Sequence, residues 1–291
     1  MWVSDDGACV LGSWRGAELF RYEYLPGDPP AESPRPYLHP VRTLAGELVT
    51  DCRPEDHPWH KGISWSLPNV GSENFWGGPT YRRGDGYLQL DNNGTTRHDG
   101  FDPIQASRAR TGGNWISLAE RLTWVTAAGE ALFAEQRHIT ADVRADGAAW
   151  SCVFQTTMRN VSGRTVRIGS PTTEGRADAG YGGLFWRGPA AFAGGRVLTS
   201  EGAGGDEVMG RRGPWLAFAT PVATLIFRDS PGNPGFPCQW FVRTSPYACA
   251  CPAPFFSAEV PVAAEEELTL RYQIIVADGE LDIEGCEILC D

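Results

Sequence analysis

Charge is scarce in this chain of 291 residues, and positive charge scarcer still: charged side chains make up 21%, with 25 basic against 36 acidic groups and a formal net charge of −11 at pH 7. A balance of that sign repels phosphate backbones and anionic headgroups, so it argues against a nucleic-acid or membrane-surface partner. Long apolar runs are missing too. The longest charge-free apolar stretch, 213–227, is broken by Pro214 and Pro221 and falls short of the roughly 20 residues a membrane helix requires. It reads as a strand, a turn and another strand. The amino terminus, Met1-Trp2-Val3-Ser4-Asp5-Asp6, has neither the basic start nor the apolar stretch of a secretory signal, and a cytoplasmic location is the expectation. The eight cysteines form no CxxC pair. In a reducing compartment they are expected to act as buried small hydrophobes, with Cys249 and Cys251 on one face of a strand. Absent as well are a GxSxG elbow, a P-loop and a GxGxxG after a strand, so serine hydrolysis and dinucleotide binding have no support.

What is present is glycine, proline and aromatic surface. Gly 35, Pro 22 and Trp 11 describe many short strands joined by turns rather than a helical protein. Alternation at period two predicts an opening hairpin over 8–14 and 17–24, and a long antiparallel meander over 114–125, 131–143 and 148–160. Glycine-bearing turns are expected at Gly112-Gly113, Ala128-Gly129, Asp146-Gly147 and Ser162-Gly163. Further strands are expected at 164–170, 181–186, 195–198, 240–244 and 267–276, with a short terminal helix at 282–290. Residues 69–102, dense in Gly, Asn, Asp and aromatics, read as a long functional loop carrying one strand and an Asn-Gly turn. The expected fold is all-β: residues 1–291 as a single large antiparallel β-sandwich with long loops on one edge.

The stretch Asp56-His57-Pro58-Trp59-His60-Lys61-Gly62 concentrates the reactive groups. Pro58 and Gly62 mark it as a loop leading into a strand, the usual setting for displayed chemistry. The five histidines are His39, His57, His60, His98 and His138, and none follows. Imidazole chemistry near neutral pH must therefore draw on the first half of the chain. His39, His57, His60 and His98, joined by Glu135, could form a His-rich centre for one divalent transition metal. Without a metal, His57 and His60 serve as acid and base, Lys61 or Arg187 steadies developing oxyanion charge, and Glu174 supplies an opposing carboxylate. Loop indoles and amides suit a sugar, whose flat ring faces meet aromatics and whose hydroxyls meet polar groups. Trp59, Trp76, Asn74, Asn92, His39, His98 and Arg187 are the candidates to bind it.

The combination Arg35-Pro36-Tyr37-Leu38-His39-Pro40, Asp56-His57-Pro58-Trp59-His60-Lys61-Gly62, Asn74-Phe75-Trp76-Gly77-Gly78 and Gly180-Tyr181-Gly182-Gly183-Leu184-Phe185-Trp186-Arg187 resembles the bacterial family labelled methane oxygenase PmoA, also carried as a domain of unknown function. The resemblance runs from about Arg35 to Val276, with Lys61 standing where histidine or arginine is expected. A membrane methane monooxygenase subunit would need several membrane helices, which this chain lacks. The company such sequences keep implies carbohydrate catabolism. The antiparallel layout also resembles the galactose-mutarotase-like supersandwich, which implies histidines and a glutamate facing a sugar on the concave side of a sheet. The leading expectation is a carbohydrate-active enzyme doing acid/base chemistry on a sugar or keto-sugar, as an epimerase or as a lyase or hydratase working by β-elimination. A metal-dependent lyase or oxygenase and a non-catalytic sugar-binding module are the alternatives.

Overall fold

The computed structural model describes residues 1–106 and 114–291, so the turn expected at Gly112-Gly113 lies outside the described residues. The chain is all-β, built on two large antiparallel sheets. The first sheet runs, neighbour to neighbour, through Trp2–Asp5, Cys9–Trp14, Ala17–Glu23, Tyr37–Val41, Ile63–Val70, Gly183–Arg187, Cys249–Ala253 and Gln239–Arg243. The second is centred on the expected meander, Trp115–Val125, Ala131–Val143 and Ala149–Asn160, and continues through Glu267–Asp278, Ala223–Asp229 and Trp215–Ala219. The stretch 213–227 is thus a strand, a turn and a strand, as its prolines require.

Alternation along each strand puts large apolar groups between the sheets. Trp65, Trp186 and Trp240 descend from the first sheet and meet Trp124, Trp150, Phe154 and Tyr272 of the second, all buried in one core. Trp65 stacks between Phe154 and Tyr272, each 6.2 Å away between ring centres. Burying a large apolar side chain contributes about 1.5–3 kcal/mol, provided its polar atoms are satisfied. They are: the indole N–H of Trp150 donates to the Arg42 carbonyl at 2.8 Å, that of Trp186 to Val49 at 2.7 Å and that of Trp240 to Gly213 at 3.0 Å.

The interior also holds charge. Arg137 makes a two-pronged pair with Glu135 at 2.8 and 3.0 Å and donates to the Tyr22 hydroxyl at 3.0 Å. Tyr22 in turn donates to Glu120, whose other oxygen bonds His98 Nδ1 at 2.6 Å. This network ties the first sheet to the second.

Two details differ from expectation. The 69–102 stretch carries four short strands rather than one, Glu73–Phe75, Thr80–Arg82, Gly86–Leu88 and Thr95–Phe101, with Phe75 and Trp76 buried and Tyr81 packed against the exposed Tyr87. Asn93-Gly94 is not a hairpin turn: Asn93 forms a parallel bridge with Asn74, and Gly94 N–H bonds the Asn74 carbonyl at 2.9 Å. The terminal helix is present as Ile283–Cys290, capped by Asp282, which accepts from Gly285 N–H at 2.8 Å. It seats Cys286, Leu289 and Cys290 on the outer face of the second sheet. No helix among the described residues is long and apolar enough to cross a membrane.

Candidate functional site

The outer face of the first sheet carries a second, smaller cluster of buried side chains. On Gly183–Arg187, Leu184 and Trp186 point into the main core, while Phe185 belongs to this outer cluster. On Gln239–Arg243, Trp240 and Val242 point inward and Phe241 outward. Cys249 and Cys251 share the outward face of their strand, as their spacing requires. Over this floor stand loop aromatics, and the result is a cavity of about 360 Å3 lined by His57, Trp59, His60, Trp76, Gly77, Pro79, Tyr87, Arg176, Tyr181, Phe185, Phe241, Arg243, Tyr247 and Cys249. That volume lies in the range of small-ligand sites.

The loop 56–62 contributes its two imidazoles. Their rings stack 4.6 Å apart and 17° from parallel. His57 Nδ1 lies 2.8 Å from the Asp56 carboxylate, which can only accept, so this nitrogen carries the proton and Nε2 is left bare in the neutral ring. His60 Nδ1 lies 3.1 Å from Arg187 Nη1, which can only donate, so here Nδ1 is bare and the proton sits on Nε2. The neighbours therefore fix opposite tautomers. Burial above all, then the charges of His57, Arg187 and Arg35, hold the His60 pKa well below its ordinary 6.5. Burial pushes the Asp56 carboxyl up, but the hydrogen bond from His57 and the Arg187 charge outweigh it and leave the pKa lowered. Burial, reinforced by Cys249, pushes the Tyr247 hydroxyl up to about 12, so it keeps its proton near neutrality.

The walls are held by backbone geometry. Gly78 has φ +65°, and a Cβ there would sit 2.6 Å from the Trp59 indole ring; glycine alone lets that ring lie flat on the chain. Asn74 fixes the same turn, accepting from Trp76 N–H at 2.8 Å and Gly77 N–H at 2.9 Å while donating to the Gly78 carbonyl at 3.1 Å. On the opposite side Arg176 donates to the Tyr87 hydroxyl with its guanidinium 4.8 Å over that ring, and the Tyr87 and Tyr181 hydroxyls meet at 2.9 Å.

Of the residues expected from sequence, His57, His60, Trp59 and Trp76 line the cavity. The others stand elsewhere. Lys61 is fully buried and paired with Asp28 at 2.9 Å and with Glu32, because it sits at an antiparallel bridge with Cys52, where successive side chains alternate sides. Arg187 does not line the cavity; it lies behind His60, stacked 3.8 Å over Tyr247 and 3.4 Å from Asp56. Glu174 is not among the lining residues, and the side chain that reaches the cavity from its loop is Arg176. Asn74 and Asn92 are spent on the loop itself, Asn92 donating to the Ser72 carbonyl at 2.8 Å. His39 bonds the Thr50 hydroxyl at 3.0 Å. His98 and Glu135 belong to the charge network between the sheets, and His138 faces solvent. Among the described residues no three His, Cys, Asp or Glu side chains converge as metal ligands, so the set His39, His57, His60, His98 and Glu135 is not brought together. Tyr181 lies in the 180–187 run whose aromatics the sequence singles out for stacking, whereas Arg176, Phe241, Arg243 and Tyr247 escaped the sequence reading. Phe241 and Arg243, two apart on a strand, carried a period-two signal that would have placed them on one face.

A family model described as a family of unknown function (DUF6807) matches residues 12–290. The chain belongs to this family. The methane oxygenase label suggested by the motifs is not what the match returns, and membership in DUF6807 brings no activity with it. No curated protein matches the chain. Among solved structures it is similar to an alpha-galactosidase from Lactobacillus brevis, at 9% identity and TM-score 0.42, covering 96% of this chain and 39% of that one. It is also similar to a GH36 alpha-galactosidase from Geobacillus stearothermophilus, at 11% identity and TM-score 0.43, covering 98% and 42%. The Slr1438 protein from Synechocystis sp. PCC 6803 aligns at 11% identity and TM-score 0.41, covering 95% and 98%. The chain spans about two fifths of the length of the two galactosidases.

Proposed function

We propose that this cavity is the active site of a carbohydrate-active enzyme that moves a proton at a sugar carbon beside a carbonyl. The observation that carries the reading is the pair of opposite tautomers fixed on two stacked rings. His57 Nε2 is a free acceptor backed by Asp56, and His60 Nε2–H is a free donor backed by Arg187. A base and an oxygen-stabilising donor side by side are what abstraction of a carbon-bound proton needs. His57 takes the proton, the C–H electron pair moves toward the carbonyl oxygen as an enolate, and the His60 N–H bonds that oxygen. Return of the proton to the other face gives epimerisation. Expulsion of a β-oxygen substituent gives elimination.

The sugar itself is supported by the walls. Trp59 and Trp76 offer flat indole faces, and the hydroxyls of Tyr87, Tyr181 and Tyr247 offer polar edges. The density of aromatics also favours a second reading, a sugar-binding site without turnover.

One experiment separates them. Keto-sugars and uronates incubated in heavy water should gain carbon-bound deuterium with the native protein. His57→Ala should slow this by roughly a hundredfold or more, the usual contribution of a positioned base, while sugar affinity changes little. Exchange at an unchanged rate in His57→Ala would remove His57 from this role. Binding with no exchange by the native protein would leave the non-catalytic reading.

A further inference from the structure

The cavity carries positive charge and has no carboxylate in its lining. Two of its lining residues, Arg176 and Arg243, are guanidiniums. Asp56 stands behind His57, where His57 and Arg187 already engage it. Among the described residues neither Arg176 nor Arg243 lies within ion-pair distance of an acidic side chain, whereas Lys61, Arg53 and Arg137 are each paired. Each guanidinium is instead held by neutral contacts. Arg176 bonds Tyr87 and stacks over its ring. Arg243 donates to the Asp178 carbonyl at 3.0 Å and lies 5.7 Å from the centre of the Phe241 ring. These contacts fix the planes and occupy few of the five N–H donors on each group, leaving the rest for a ligand. In a chain of net charge −11, a cationic lining is not a by-product of composition.

We infer that the ligand is an anionic sugar bearing a carboxylate, a uronate or related sugar acid, with Arg176 and Arg243 as its charge-recognising residues. The inference rests on the proposed reading of the cavity as a sugar site and narrows its substrate class. Planar guanidinium forks suit a planar carboxylate. A carboxylate neutralised by two arginines also lowers the electrostatic cost of the enolate that forms when His57 removes a proton nearby.

Calorimetry with D-glucuronate, D-galacturonate, D-glucose, D-galactose, benzoate and inorganic phosphate tests this on the native protein, Arg176→Gln, Arg243→Gln and Arg243→Lys. The expected result is at least tenfold tighter binding of a uronate than of its neutral parent. That preference should shrink to about threefold or less in either glutamine variant and fall to an intermediate value in the lysine variant, which keeps the charge without the planar fork. Binding of the neutral sugar by each variant reports that it is folded. Equal binding of uronate and neutral sugar, or a preference untouched by both glutamine substitutions, would overturn the anion inference while leaving the sugar reading intact. Arginine-dependent binding of benzoate with no sugar bound would keep the anion site and sink the sugar reading. Phosphate bound more tightly than every uronate would overturn the carboxylate assignment, and a protein that binds none of the six probes would overturn both.

Discussion

His60 is 4% exposed, and its ring sits between His57, Phe185, Trp76 and Tyr247 with a guanidinium on Nδ1. Burial among these neighbours, with the charges of His57, Arg187 and Arg35, disfavours a second proton. In the unfolded chain the same side chain titrates near 6.5. As pH falls through that value the unfolded state takes up a proton that the native state refuses, so native stability is lost on acidification, by up to about 1.4 kcal/mol per pH unit. His39, whose pKa burial also lowers, contributes with the same sign. Urea midpoints measured from pH 7 to pH 5 should therefore fall, and His60→Gln, which keeps an acceptor for Arg187, should flatten the slope while leaving the part due to His39. An identical slope in the variant would mean that residue 60 is protonated in the native protein. Lys61, the neighbouring residue, is a buried partner of two carboxylates. Removing it by Lys61→Met leaves Asp28 and Glu32 with only the half-exposed Arg53 as a cation partner, and a loss toward the lower end of about 3–5 kcal/mol in chemical denaturation is expected.

Strands and loops divide the work at the site, and the two were not equally legible. The meander 114–125, 131–143 and 148–160 could be read to within a residue or so because one buried face and one wet face impose a strict period of two. The loop 56–62 was legible as a site because imidazoles beside Pro and Gly have few structural uses. Which of its side chains face the cavity was not: Lys61 looked as reactive as His60, yet the two point to opposite sides of the turn and only the fold decides which side holds Asp28 and Glu32. The same holds for Glu174 and Arg176, two residues apart on one loop, of which only Arg176 lines the cavity. Gly78 shows how closely the wall is built. Gly78→Ala puts a methyl group into the Trp59 ring at a positive φ, so Trp59 must move. A changed tryptophan emission and several-fold weaker sugar binding are expected. Native emission and affinity in this variant would show that Trp59 does not need the bare backbone beneath it.

The whole molecule joins two sheets through an aromatic core and one buried charge network, and only the first sheet carries the cavity on its outer face. Among the described residues Arg137 is the sole cation bonded to Glu135 and Tyr22 in that network. Arg137→Met should cost about 3–5 kcal/mol in global unfolding, since it leaves the buried Glu135 carboxylate with only the Trp124 N–H, and should leave the cavity's selectivity unchanged in whatever fraction remains folded. His98 and Glu135 earn their place there as structural groups, in contrast to the metal role their residue types suggest. The opposite tautomers of His57 and His60 arise only when the loop, the strand Gly183–Arg187 and the Asp56 carboxylate are assembled together. Nitrogen-15 NMR of the imidazoles in the native protein at pH 7 reads those tautomers directly. A proton on Nδ1 of His57 and on Nε2 of His60, with both rings shifting on addition of a uronate, is the result expected. A His60 ring that carries its proton on Nδ1, or that titrates near 6.5, would contradict the assignment of base and donor on which the proposed chemistry stands.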